Sequence, residues 1–214
     1  MDEEITIINE KTRNEKIKTF FVENKRLIVS SIVLLLILIL SFYFYQIYND
    51  NSRKSLSDKY NLAIIDYNDD NKLVTIESMK DIVNYKDSTY SPLALYFLID
   101  NDLIENKNEI NDLFDILINE TSLEIEIKNL VIYKKALFNA DQTNELELLN
   151  ILNPLINSDS IWKSHALYLV GEFFYNKGEI QKSKDFFQKI LSIKNPSSEI
   201  TVKAQRRLNR DLSD

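Results

Sequence analysis

The sequence predicts an all-α protein: a single N-terminal transmembrane helix followed by a solenoid of about four helix pairs and a capping helix. Three observations predict it. Residues 27–45 form an unbroken apolar run without one charged side chain. The chain beyond them reads as apolar helical segments broken at regular intervals by Asn, Asp, Ser and Thr. Only 2 Gly and 3 Pro occur in 214 residues, too few for the many tight turns of a β-sandwich or barrel.

The apolar run comes first. At about 1.5 Å per residue it spans roughly 28 Å, close to the thickness of a bilayer's hydrocarbon core. It is apolar all round, whereas a helix at the edge of a soluble core keeps a polar stripe. Ser30, Ser31 and Ser41 can return their hydroxyls to the helix backbone. Phe42, Tyr43, Phe44, Tyr45 and Tyr48 form an aromatic belt at the C-terminal end. The run exceeds the apolar core of a signal peptide, and bulky polar residues 46–50 follow it instead of a small-residue cleavage site, so an uncleaved anchor is expected. Arg13, Lys16, Lys18, Lys25 and Arg26 precede it, against Arg53, Lys54 and Lys59 after it, which places the N-terminus inside. The expected organisation is a cytoplasmic segment at 1–26, the transmembrane helix at 27–48 and a periplasmic helical domain at 49–214 of an inner-membrane protein. Residues 9–26 are expected to form a short helix with Ile17, Phe20, Phe21 and Leu27 on one face.

Charge and composition then exclude several partners and chemistries. Residues 1–26 balance their basic and acidic side chains, so the net charge of −7 belongs to the region after the apolar run. An acidic domain is a poor polyphosphate binder, and no nucleic-acid partner is expected. The chain has no Cys, which removes disulfides, thiolate metal sites and Cys nucleophiles.

Two interleaved sets of breaks organise the rest. One comprises residues 69–71, 106–108, 141–144 and 176–178, recurring roughly every 36 residues, within the range of helix-turn-helix repeats. The other comprises 88–92, 121–122, 157–159 and 195–198. Local chemistry assigns the boundaries. Ser91 reads as an N-cap followed by Pro92 at the first helical position. Thr121 to Glu124 fits a capping box. Gly178 fits the left-handed position at a helix end. Pro154 is expected to end its helix early. A final helix, about 198–212, carries Ile200, Ala204 and Leu208 on one face and reads as a cap on the last pair.

The last pair carries the most specific pattern. Leu167, Val170, Gly171, Phe174, Gly178, Ser183, Phe187, Ile190 and Pro196 stand in positions that resemble a tetratricopeptide repeat. The spacing has a physical reason: Gly171 and Ser183 are small and let two helices approach, Phe174 and Phe187 fill the space beside them, and Pro196 stops the second helix. In such a repeat the first helix of each pair lines the concave surface. That resemblance implies that Tyr168, Glu172 and Tyr175 face outward as candidates for lining a partner groove.

The whole layout resembles the YfgM-type ancillary subunits of the bacterial Sec translocon. The lead from Lys18 to Asn24 runs straight into the membrane helix. The break from Ser88 to Ala94 opens a helix pair. Trp162 precedes the Leu-x-Gly-Glu stretch at Leu169 to Glu172 and the turn Lys177-Gly178-Glu179. The resemblance implies a membrane-anchored protein-binding subunit that links the translocon to periplasmic folding factors or emerging clients.

No catalytic, metal or cofactor site is expected. His165 is the only histidine, so it reads as a packing or surface residue rather than a ligand. Asp69, Asp70 and Asn71 lack the ligand spacing and Gly of a calcium loop. Glu145 with Glu147, and Glu124 with Glu126, stand two apart and point away from one another on a helix. Two functions compete: the translocon-associated interaction module, and a scaffold that self-associates or assembles another envelope complex.

Overall fold

The computed structural model describes residues 18–212. Residues of the expected lead helix before 18, Ile17 among them, lie outside the described residues. Residues 18–23 are helical, with Phe20 and Phe21 exposed, and Asn24 forms a turn in which its Nδ2 donates to the Phe20 carbonyl at 2.9 Å. The fold is all-helical: 79% of the chain is helix, with no strand among the described residues.

Helix α1, Lys25–Ile65, runs for 41 residues, about 61 Å at the standard rise. Its apolar stretch is bare: Leu34 is 59% exposed, Leu38 61% and Phe42 69%. This helix is long and apolar enough to cross a membrane. It does not stop at the aromatic belt, because no Gly, Pro or cap interrupts residues 46–65. The chain divides into two compact units, Met1–Ser55 and Leu56–Asp214, so the division falls within α1.

The second unit begins with the last turns of α1, whose inner face carries Leu56, Tyr60 and Ala63 into the core. There follow α2 (Lys72–Asn84), α3 (Tyr90–Asp100), α4 (Lys107–Asp115, prolonged by a π turn to Glu120) and α5 (Ile125–Asn139). Then come α6 (Glu145–Ile156), α7 (Lys163–Asn176), α8 (Ile180–Leu191) and α9 (Ser198–Arg206, prolonged by a π turn to Asp211). From α2 onward, each helix of this unit packs on its neighbours in the chain or on the next but one. The core is correspondingly linear. It runs from a cluster around Met79, Leu95 and Phe114, through one around Leu148, Leu152 and Phe174, to one around Phe187, Ile190 and Ile200.

Helix ends use chemistry that local pattern reading assigns only in part. Gly178 has φ +75°, and the N–H groups of Gly178 and Glu179 donate to the carbonyls of Tyr175 and Phe174. This is a Schellman motif, in which a Cβ is disfavoured. Asp102 closes α3 by the same two bonds at φ 49°, without a glycine. Three boundary expectations are corrected. Ser91 is not an N-cap: α3 starts one residue earlier, capped by Asp87 Oδ1, which accepts from the N–H groups of Thr89 and Tyr90. The Ser91 hydroxyl instead donates to the Ile82 carbonyl of α2 at 2.7 Å, and is fully buried there. Thr121 forms no capping box, because its hydroxyl is taken by the Ile116 carbonyl at 3.1 Å, and α5 starts at Ile125. Pro154 does not end α6, which continues to Ile156. Pro removes one intrahelical bond, and here the loss falls in the last turn.

Candidate interaction surface

Four tyrosines recur at a nearly constant interval on alternate helices. Tyr60 on α1, Tyr96 on α3, Tyr133 on α5 and Tyr168 on α7 are separated by 36, 37 and 35 residues. All four are half-buried, and burial raises the phenol pKa of each. The interval is about the length of a helix and the one that follows it, so α1, α3, α5 and α7 each carry one tyrosine of the series.

Each tyrosine of the series meets an aromatic or cationic group. Tyr60 lies 5.8 Å, centroid to centroid, from Tyr90 at the start of α3. Lys134 of α5 sits over the Tyr96 ring at 4.4 Å. Tyr133 stacks on Trp162 at 5.8 Å and meets the edge of His165 at the same distance. Tyr168 packs on Phe187 of α8 at 5.3 Å. Two turns further along α7, the Arg207 guanidinium lies over the Tyr175 ring at 4.7 Å. Glu126 pins the junction of α5 and α7: its carboxylate accepts from the Ser160 hydroxyl at 2.7 Å and its carbonyl from Trp162 Nε1 at 3.1 Å.

The second helices are joined differently. Lys80 of α2 pairs with Glu109 of α4, and Lys182 of α8 with Glu145 of α6 at 2.9 Å. Ring contacts thus run between α1, α3, α5 and α7, and ion pairs join α2 to α4 and α6 to α8. A half-buried tyrosine leaves part of an apolar ring at the surface, the surface chemistry that recurs at protein interfaces, although the Tyr96 hydroxyl itself is buried.

The expected groove residues are placed as follows. Tyr168, Glu172 and Tyr175 lie on one side of α7, but they are half-buried rather than open. The cause is Arg207, just beyond α9. Its Nε and Nη2 donate to Glu172 Oε1 and Oε2 at 2.7 and 2.6 Å, and its Nη1 donates to Asp211 Oδ2 at 2.8 Å. The end of the tyrosine series is therefore covered by the chain's own C-terminal turn, which corrects the expectation of an open groove there.

The packing residues of the last pair are buried between α7 and α8. Leu167, Phe174 and Phe187 are 2%, 1% and 0% exposed. A Cβ on Gly171 would stand 2.6 Å from Cε1 of Phe187. Ser183 Oγ donates to the Gly171 carbonyl at 2.9 Å, so the serine both permits the approach and satisfies a backbone acceptor. His165 is half-buried between Tyr133 and Trp162, and that burial lowers its pKa. The paired glutamates diverge. Glu126 bonds Ser160 while Glu124 is exposed at the start of α5; Glu145 pairs with Lys182 while Glu147 accepts from Thr143. Among the described residues no group of His, Asp and Glu is placed to hold a metal ion.

No known family model, curated protein or solved structure matches this chain.

Proposed function

We propose that this chain is a membrane-tethered protein-interaction module, and that its helix pairs form a tetratricopeptide-like solenoid. The observation that carries the reading is the tyrosine series: one half-buried tyrosine per first helix, at the repeat interval. Repeat stacks bind through the extended surface that their equivalent helices build. Aromatic rings on that surface give apolar contact to extended or partly folded chains without demanding one partner shape. A tether restricts the module to partners in or beside the same membrane, and the raised local concentration lets weak contacts suffice.

The resemblance to YfgM-type subunits gives the partner. In this reading α1 anchors the module in a bacterial inner membrane, with the helical domain in the periplasm. There it serves as an ancillary subunit of the Sec translocon, beside periplasmic folding factors and emerging chains. The test is crosslinking of the full chain in intact membranes. Capture of translocon subunits and exported chains is expected. Capture of copies of itself alone would replace this reading with that of a self-associating scaffold, and protection of the domain from protease in spheroplasts would overturn the orientation.

A further inference from the structure

A second docking surface lies at the other end of the stack from α9, on the tip where α1 meets α2. The Lys59–Asp81 ion pair, at 3.0 Å, joins the end of α1 to α2, with residues 66–71 between the two helices. The inner faces carry Leu56, Tyr60, Thr75 and Met79 into the domain. The outer faces near the tip carry large apolar residues that no described residue covers: Leu62 is 58% exposed, Ile65 76%, Leu73 77% and Val74 65%. Four such side chains within 13 positions are unusual on the surface of a soluble unit. In a stack of helices the outer side of a terminal pair must be made polar or be covered. At the C-terminal end α9 does this, burying Ile200 and Ala204 against the last pair. At the α1–α2 end nothing among the described residues does.

The charge around the tip selects the occupant. Asp58, Asp66, Asp69, Asp70 and Glu77 are all exposed there, and none forms an ion pair among the described residues. Lys59 is engaged by Asp81, which leaves Lys72 as the counter-charge on this stretch. A second copy meeting through the same face would set these carboxylates against each other, and an anionic lipid surface would repel them. A helix with a leucine-type face flanked by Lys or Arg satisfies both the apolar residues and the acidic rim. We propose that the α1–α2 tip docks a basic amphipathic helix of a partner protein. This adds a second surface to the interaction module proposed above, and it does not depend on the tyrosine series.

The test uses the full chain in phosphatidylcholine nanodiscs, with a benzoylphenylalanine photocrosslinker at Leu73 or, as a control, at Leu146. Leu146 on α6 is 69% exposed and lies away from the tip, so both positions tolerate the probe. The ligands are two synthetic amphipathic peptides with the same leucine face, one flanked by Lys and the other by Glu. The Lys peptide should label the Leu73 position at least five-fold more than the Leu146 position. The Glu peptide should label neither above background. Changing Asp66, Asp69 and Asp70 together to Asn should abolish the preference for Lys. Equal labelling at the two positions, equal labelling by the two peptides, or a predominance of self-crosslinked dimer or lipid adduct at Leu73 would each overturn the proposal. The tyrosine-face reading stands or falls separately, on what is captured from the first helices.

Discussion

Both carboxylate oxygens of Glu172 on α7 accept from one edge of the Arg207 guanidinium, Nε at 2.7 Å and Nη2 at 2.6 Å, and so tie the C-terminal turn across the end of the tyrosine series. Both side chains are largely withdrawn from water, 21% and 26% exposed. Pairing with Glu172 and Asp211 holds the Arg207 pKa above its ordinary value, so the guanidinium stays charged. Arg207→Ala should destabilise the domain by about 1–3 kcal/mol, because it leaves the Glu172 carboxylate without its partner. Arg207→Lys should restore little, since an ammonium cannot make the two parallel bonds. Thermal melts of the full chain followed by Trp162 fluorescence check this, Trp162 being the one tryptophan.

At Gly171 helix α7 comes close to Phe187 of α8. The missing Cβ would fall 2.6 Å from the ring of Phe187, which is fully buried and has no space to retreat. Gly171→Ala should cost about 1–3 kcal/mol by overpacking, despite the better helix propensity of Ala. For a domain of this size that is a fall of several degrees in melting temperature. An unchanged melting temperature would mean that the two helices are further apart than the structure places them.

His165 makes stability depend on pH. Burial lowers its pKa below the ordinary 6.5, with Lys203 adding to the fall and Glu199 opposing it. The unfolded chain therefore binds this proton more readily than the folded one, so the stabilising contribution is complete above about pH 6.5 and is lost as pH falls below it. The slope cannot exceed about 1.4 kcal/mol per pH unit for one proton. His165→Phe keeps a ring between Tyr133 and Trp162 and removes the proton site. Melts between pH 7.5 and 5 should show the native chain losing stability faster than this variant; parallel curves would contradict the assignment. Asp211, held down to about 2 by Arg210 and Arg207, titrates below this window.

The long apolar helix and most of the helix breaks were legible because each is carried by residues close in sequence. A long uncharged run has few structural alternatives, and Asn–Asp breaks recur wherever a helix must end. Gly178 was legible for the same reason, whereas Asp102 adopts the same left-handed turn with nothing local to announce it. Ser91 and Thr121 misdirect a local reading because their hydroxyls have other acceptors: Ile82 across a helix pair, and Ile116 in the preceding turn. The tyrosine series is present in the sequence as its 36-, 37- and 35-residue intervals. A tyrosine on the common side nevertheless looks like any core aromatic until the next helix is placed beside it. The covering of Tyr175 and Glu172 by Arg207 joins residues more than 30 positions apart, beyond any pattern of helical spacing.

The most direct test asks whether the tyrosine-bearing helices of the domain are the ones that meet the partners proposed for it. Photocrosslinkers at Tyr96 and Tyr133 sample the tyrosine series, and one at Leu146 samples a second helix that is open to solvent. In intact cells expressing the full chain, the account predicts adducts with translocon subunits or exported chains from the two tyrosine positions, at several times the yield from Leu146. Equal yields from all three positions, or no such adduct from Tyr96 or Tyr133 in a protein that retains its native melting temperature, would contradict it.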